Sequence, residues 1–241
     1  MGHILVTGSS RGIGRAALES LAARGAKVIG HASRRAPSQA GGAPIIAADF
    51  GDPLAAQSLW EQALDIADGE IDVVVNNAGR FEANRLDRSD IEWLDAWEDT
   101  LRVNLTSAAQ LSRCAVNHWH ERSFGGRLVH VASRAAYRGD SPAHWHYAAA
   151  KSGMIGMHKT IARAYAKDGI LSFAVTPGFT DTSMADDYLA SRGGPGLLAD
   201  IPLGRVATPD EIAAIIAFCA LDAPPSMTGA VIDANGASFV R

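Results

Sequence analysis

Short β-rich runs alternate with helix-length amphipathic stretches along the whole chain, and that alternation leaves few folds open. His3 to Val6, Lys27 to His31, Pro44 to Ala48, Ile71 to Val75, Arg127 to Ala132, Leu171 to Val175 and Ala230 to Asp233 read as strands. Between them lie helical patterns: Gly12 to Arg24, Pro53 to Ala67, a long region from about Trp93 to Arg122, His146 to Lys167, and Pro209 to Leu221. Leu54, Leu59, Leu64 and Ile66 are the apolar positions of the second. Ile71 to Val75 is apolar apart from Asp72, the kind of strand a parallel sheet covers on both faces. About seven strands separated by helices predict an α/β chain, a doubly wound parallel sheet with helices on both faces.

The 241 residues are 47% hydrophobic and 20% charged, with no linker, charge run or composition shift, so they read as one domain spanning 1–241. Phe179 to Arg205 departs from the pattern. It is irregular, contains Gly193-Gly194-Pro195-Gly196 and is long for a connection, which predicts a substrate loop at about 179–205. A net charge of −4 with both signs interspersed argues against nucleic acid or a membrane surface as partner. No apolar run reaches the roughly 18 residues of a membrane span. Ile4-Leu5-Val6 stops at Thr7-Gly8, too soon for a signal peptide. Val6 also stands where acylation at Gly2 would need Ser or Thr. Cys114 and Cys219 sit in apolar helical stretches and suit a reducing cytosol as small buried hydrophobes. A cytoplasmic protein is expected.

Directly after the first strand stands Thr7-Gly8-Ser9-Ser10-Arg11-Gly12-Ile13-Gly14. Three glycines at a strand-to-helix junction let backbone approach a pyrophosphate while helix N–H groups point at it. The Gly-x-x-x-Gly-x-Gly spacing departs from Gly-x-Gly-x-x-Gly, and such a turn is also ordinary punctuation. Its place between strand and helix is what points to a nucleotide. A carboxylate about twenty residues on would accept the ribose 2′-hydroxyl of NAD. The second strand instead runs out into His31-Ala32-Ser33-Arg34-Arg35. Arg11 and Arg34 suit a 2′-phosphate, so NADP(H) is expected over NAD(H). The other reading is two solvated loop arginines.

Tyr147 and Lys151 lie four apart on one helical face. A phenol of pKa about 10 beside an ammonium has its phenolate stabilised and exchanges a proton with an alcohol or ketone near neutral pH. Taken alone, the pair is also what solvated helices produce by chance.

With these elements in order, nearly the whole chain resembles the short-chain dehydrogenase/reductase family. The shared motifs are the Thr7 to Gly14 turn, Asp49-Phe50, Asn76-Asn77-Ala78-Gly79, Asn104 in Val103-Asn104-Leu105, and Ser133 in Val131-Ala132-Ser133. Tyr147 with Lys151 follows, then Pro177-Gly178 with Thr180 and Thr182. Ile201-Pro202-Leu203-Gly204-Arg205 and Thr228 to Asp233 are similar to the branch of 3-oxoacyl-acyl-carrier-protein reductases, sugar alcohol dehydrogenases and general ketone reductases.

The resemblance implies a Rossmann-type sheet, a nicotinamide cofactor, and hydride transfer between that cofactor and a small-molecule carbonyl or secondary alcohol. The implied cofactor residues are Gly8, Ser10, Arg11, Gly12, Ile13, Gly14, Ser33, Arg34, Asp49, Phe50, Asn76, Ala78 and Gly79, with Tyr147, Lys151, Pro177, Gly178, Thr180 and Thr182 nearer the nicotinamide. Tyr147 is then the general acid or base. Lys151 lowers its pKa and holds the nicotinamide ribose, Ser133 orients the carbonyl oxygen, and Asn104 holds a water linking Lys151 to solvent. Arg134, His144 and Trp145 are expected at the substrate.

Ser133 and Tyr147 are fourteen positions apart, about one more than the family implies, so the segment between them is expected to bulge. Enoyl reductases of the related branch place Tyr and Lys farther apart, which disfavours enoyl reduction. The resemblance also implies that the helices after Asn104 and around Tyr147 pack against a second subunit, in a homodimer or homotetramer that their apolar positions Leu105, Leu111, Met154, Met157 and Ile161 allow. Tyr137 is set aside, because the residue four later is Ser141. Trp93 and Trp97 share a helical face and read as packing. His118-Trp119-His120 and His144-Trp145-His146 invite a metal, yet helix positions two apart face different ways and nothing completes a ligand set; no metal is expected. A nucleotide sensor or scaffold that binds cofactor without turnover is the alternative, and the complete set Asn104, Ser133, Tyr147 and Lys151 weighs against it.

Overall fold

The computed structural model describes residues 2–34, 39–40, 42–181 and 194–241. Seven strands run parallel in one sheet: β1 (His3–Val6), β2 (Val28–Ala32), β4 (Ala43–Ala47), β5 (Ile71–Asn76), β6 (Gly126–Val131), β7 (Ile170–Pro177) and β8 (Val231–Ala234). A two-residue strand, β3 (Gln39–Ala40), adds antiparallel to β4 and is too short to leave a periodic signal in the sequence. The order across the sheet is β3-β4-β2-β1-β5-β6-β7-β8. The chain therefore leaves β1 toward β2 and β4, then returns to β1's other side as β5. Ligands of such sheets bind where the winding reverses, beyond the carboxyl ends of the strands. Here those ends carry the Thr7 to Gly14 turn and the Asn76 to Gly79 segment.

Side-chain alternation along each strand fills two cores. Ile4, Val6, Val73 and Val75 pack toward α1 (Gly12–Ala23) and α8 (Pro209–Ala217), against Leu18, Leu21, Ile212 and Ile216. Leu5, Val74 and Leu128 face the other way, toward α2 (Ala55–Ile66) and α4 (Ser107–Glu121), against Leu59, Trp60, Leu111 and Trp119. The Trp119 indole donates to the Ile71 carbonyl at 2.7 Å, and its ring fills the space where any side chain on Gly126 would begin.

The long helix expected from about Trp93 starts earlier, as α3 (Asp90–Leu101), because Ser89 and Glu92 form a reciprocal capping box. It reaches α4 through a π turn, Arg102–Thr106, which carries Asn104. The expected bulge before Tyr147 is a short helix, α5 (Ala135–Arg138), stopped by Gly139 at φ +75° and followed by α6 (Trp145–Tyr165). The segment read as irregular throughout contains α7 (Gly194–Ala199). Leu111, Met154 and Ile161 are buried within the chain itself, which leaves Leu105 and Met157 half-covered on the faces expected to meet another subunit.

His31, His130 and His158 are among the histidines buried in the interior. His130 and His158 lie 5.9 Å apart, and His130 is pushed down to about 3, first by burial and then by repulsion from His158 and Lys151. Burial likewise lowers His158 and His31. The unfolded chain takes up protons near pH 6.5 where the folded chain does not, so stability is complete above that pH and is lost below it. Each group contributes up to about 1.4 kcal/mol per pH unit. A urea midpoint clearly lower at about pH 5.5 than at about pH 7.5 is expected; equal midpoints would contradict the assignment.

Candidate active site

The turn after β1 is laced to the end of β5. The Thr7 hydroxyl donates to the Val75 carbonyl at 3.2 Å and accepts the Asn77 and Ala78 amides at 2.9 and 3.0 Å. The Asn77 side-chain amide donates to the Thr7 carbonyl at 2.8 Å. Gly8 stands at φ +67° and Gly12 at φ +55°, in the left-handed region that glycine occupies without strain. Gly14 has no room for a Cβ, which would strike the Gly8 carbonyl and the Asn77 amide. Gly14→Ala is thus expected to cost about 1–3 kcal/mol of stability and to weaken dinucleotide binding. Thermal unfolding and a nucleotide titration check it, and a variant unchanged in both would refute the close fit.

Above this turn opens a cavity of about 730 Å³. Its wall contains Gly8, Ser10, Arg11, Gly12, Ile13, Gly14, Ser33, Arg34, Asp49, Phe50, Ala78 and Gly79, and beyond them Ser133, Arg134, Tyr147, Lys151, Pro177, Gly178 and Thr180. Segments far apart in sequence thus line one continuous space. A side chain on Gly178 would meet Asn235 at 2.9 Å, so the backbone after β7 passes close under the segment after β8.

Four expected residues stand elsewhere. Asn76 turns away from the cavity into the sheet, where its buried amide donates to the Ser112 hydroxyl at 3.1 Å and lies 3.3 Å from His130 Nδ1. Successive side chains face opposite ways, so Asn77 takes the place in the wall. His144 is buried behind the wall, stacked at 4.0 Å on Phe81, which does line the cavity. Trp145 is 54% exposed and packs edge-on against Trp93 at 6.4 Å, outside the cavity. Asn104 is fully buried one layer back. Thr182 and much of the 179–205 segment lie outside the described residues.

His31, Asn77, Phe81 and Asp140 also line the cavity and were not singled out by sequence. Asn77 was readable from its neighbours in the Asn-Asn-Ala-Gly stretch. Phe81 and Asp140 come from loops, where no periodicity announces a direction. Tyr137 packs instead on Phe239, with ring centroids 5.7 Å apart.

Ser133, Tyr147 and Lys151 converge in the wall. Ser133 sits two residues past Val131, the end of β6, accepts the Ala135 amide at 3.1 Å, and is hydrogen-bonded to Tyr147. Lys151 is buried, donates to the Val131 carbonyl at 2.8 Å, and holds its ammonium 5.8 Å from the Tyr147 ring centroid. Phe81 meets Tyr147 edge-on at 4.7 Å. The Asn104 amide is committed to the Arg80 backbone, accepting its N–H at 2.8 Å and donating to its carbonyl at 2.9 Å. It is also close to Lys151. The point where a side chain on Gly79 would begin lies 3.4 Å from Asn104 Oδ1 and 3.7 Å from Lys151 Nζ. The π turn is what aims Asn104 there, a placement such turns often serve at functional sites.

The electrostatics depart from expectation. Tyr147 is pushed up to about 12, first by desolvation, with Asp140 adding to the rise and the Ser133 hydrogen bond opposing it. Lys151 is pushed down to about 8 by burial. In the chain alone, burial outweighs the expected depression of the phenol by the ammonium, whose nearest acceptor is the Val131 carbonyl. The phenol is therefore fully protonated at neutral pH and the ammonium mostly so.

A parallel sheet with a glycine cradle at its switch point, and a Ser–Tyr–Lys cluster in the same cavity, defines a nicotinamide-dependent oxidoreductase. Residues 8–236 match the family described as enoyl-(acyl carrier protein) reductase. The 3-oxoacyl-[acyl-carrier-protein] reductase of Escherichia coli is 38% identical over 98% of this chain and 96% of its own length. The same enzyme of Haemophilus influenzae is 35% identical over 98% and 97%. A crystal structure described as a 2-deoxy-D-gluconate 3-dehydrogenase from Agrobacterium tumefaciens, with NADP bound, superposes with a TM-score of 0.85 at 29% identity, covering 98% of this chain and 95% of the other. The chain belongs to the short-chain dehydrogenase/reductase family, in its 3-oxoacyl-acyl-carrier-protein reductase-like branch, and is an NAD(P)-dependent oxidoreductase of CH–OH and C=O groups. No helix among the described residues is long and apolar enough to cross a membrane.

Proposed function

We propose that this enzyme reduces a small-molecule carbonyl to a secondary alcohol with NADPH, and catalyses the reverse oxidation, with Tyr147 moving the proton. The observation that carries the reading is the convergence of Ser133, Tyr147 and Lys151 on a cavity that continues into the glycine cradle. Gly8 and Gly14, which exclude side chains, fit a pyrophosphate against the start of α1. Arg11 and Arg34 stand in the same wall, where the end of β2 offers no carboxylate, and favour a 2′-phosphate. Asp49 and Phe50 border the adenine side, and Pro177, Gly178 and Thr180 the nicotinamide side.

The bound nicotinamide supplies the hydride. The chain's own groups do the rest. Ser133 donates to the carbonyl oxygen and orients it, and the protonated Tyr147 phenol delivers the proton as negative charge develops there. Lys151 stabilises the phenolate left behind and binds the ribose. Asn104, beside Lys151, supports a water through which that proton is replaced. Arg134 contributes to the substrate end of the cavity, with its guanidinium 4.7 Å from the centre of the Phe179 ring; His144 acts there through Phe81.

Reduction of C=O rather than C=C is supported by the four-residue Tyr147–Lys151 spacing and by the names of the relatives, a 3-oxoacyl reductase and a sugar-acid dehydrogenase. Residues 1–241 form the single catalytic domain, in a cytoplasmic homodimer or homotetramer. The test is a spectrophotometric scan of NADPH and NADH oxidation with ketones, 3-oxoesters and sugars. Turnover preferring NADPH is expected. Binding without turnover across the panel would favour a sensor or scaffold, and equal or better affinity for NADH would overturn the cofactor preference.

A further inference from the structure

His31 ends β2 one residue before its last position, lies in the cavity wall and is 1% exposed. Its ring is held from three sides. Nδ1 accepts the Gly8 N–H at 3.1 Å, and Nε2 lies 2.8 Å from the Ala48 carbonyl oxygen, to which it donates. Phe50 stacks on it with centroids 4.3 Å apart and planes 21° from parallel. The backbone is tied as well: the His31 N–H donates to the Ser9 hydroxyl at 2.9 Å, and its carbonyl accepts the Ser9 N–H at 2.8 Å. Only the neutral ring with its proton on Nε2 satisfies both backbone partners. A carboxylate at this position would accept from Gly8 and oppose the Ala48 carbonyl; an aliphatic side chain would satisfy neither.

One imidazole thereby adds a side-chain link between the glycine turn after β1 and the Ala48 to Phe50 loop after β4, which the backbone at the end of β2 holds separately, through the Ser9 N–H to the His31 carbonyl at 2.8 Å and the Ala48 N–H to the Ala32 carbonyl at 2.9 Å. By accepting from Gly8 it also fixes the plane of the Thr7–Gly8 peptide where the turn begins. β6, which leads to Ser133, lies three strands away, roughly 14 Å at normal strand spacing. His31 is therefore remote from the reacting atoms.

We propose that His31 is a positioning residue for the cofactor, whose ring sets the spacing between the phosphate-binding turn and the adenine-side loop and so governs NADPH affinity. This rests on the reading that the cavity takes NADPH. It adds that affinity depends on a hydrogen-bonded strap, and not only on the groups facing the phosphates.

The experiment is a fluorescence titration of the full-length chain with NADPH, beside thermal unfolding, for wild type, His31→Leu, His31→Asn and His31→Gln. Asn offers an acceptor near the position of Nδ1, Gln a donor near that of Nε2, and Leu offers bulk alone. His31→Leu is expected to raise the dissociation constant about tenfold or more, and His31→Asn to recover most of that loss. A folded Leu variant within about twofold of wild type would overturn the proposal. So would an Asn variant no better than Leu, since the role would then be packing. Should Leu not fold, Asn and Gln carry the test: both weaker than wild type with Asn the tighter supports the strap, and both equal to wild type overturns it. A wild-type chain that binds no NADPH would overturn the cofactor reading and this proposal with it. Wild-type binding with unimpaired variants overturns this proposal alone.

Discussion

Tyr147→Phe is expected to reduce turnover by about 10²–10⁴-fold while leaving NADPH affinity within about twofold of wild type. The substitution removes one oxygen and keeps the ring, so the edge-on contact with Phe81 at 4.7 Å survives and the helix around it is undisturbed. What disappears is the proton. A phenol pushed up to about 12 is fully protonated at neutral pH, the form needed to donate as a carbonyl oxygen gains charge. Ser133, hydrogen-bonded to Tyr147, would still orient the carbonyl but would have no acid beside it. Steady-state rates in both directions and a fluorescence titration provide the check. A variant retaining a tenth or more of wild-type turnover would remove Tyr147 from its assigned role.

Lys151→Ala is expected to damage both quantities: turnover by about a hundredfold or more, and NADPH affinity by about tenfold. The ammonium is buried and bonded to the Val131 carbonyl at 2.8 Å, so its loss also leaves a covered acceptor unsatisfied. That joint effect separates Lys151 from Tyr147. Loss of turnover with unchanged affinity would confine Lys151 to the proton and refute its grip on the ribose. The wild-type pH profile gives a second check. Burial lowers Lys151 to about 8, so the charged form holds below that pH and is lost above it. Carbonyl reduction should therefore be sustained on the acid side of about pH 8 and decline as pH rises through it, long before the phenol at about 12 loses its proton. A reduction rate still rising above pH 8 would contradict this.

The cluster behind these predictions was largely legible in the chain as a string. Tyr147 and Lys151 are four apart on a helix, so local geometry alone places them on one face. The Gly8, Gly12 and Gly14 positions likewise depend on backbone conformation within a few residues, and two of them do occupy the left-handed region. Asn104 was legible by resemblance, but the π turn that aims it toward Lys151 was not. An extra residue in a helical turn changes direction without changing the apolar pattern around it.

The misplacements have equally specific causes. Asn76 and Asn77 are chemically identical, and only the alternation at the end of β5 decides which one faces the cavity. His144 and Trp145 lie three and two residues before Tyr147, yet the start of α6 puts His144, its cap residue, beneath Phe81 and leaves Trp145 half-exposed against Trp93. The pKa values were misjudged for the same kind of reason. Proximity of an ammonium to a phenol can be read from spacing, whereas the desolvation that dominates both groups comes from their burial in the folded chain, with the Asp140 charge adding to the rise at Tyr147.

The sequence by itself determined the alternating elements, the parallel sheet, the glycine turn and the Tyr147–Lys151 pair, because each depends on residues within one or two turns or on a repeating apolar period. Tertiary structure alone decided that Phe81 and Asp140 enter the cavity, that Asn77 rather than Asn76 lines it, and that His31 straps Gly8 to Ala48. Those outcomes depend on the packing of segments tens of residues apart, and no local propensity encodes where such segments meet.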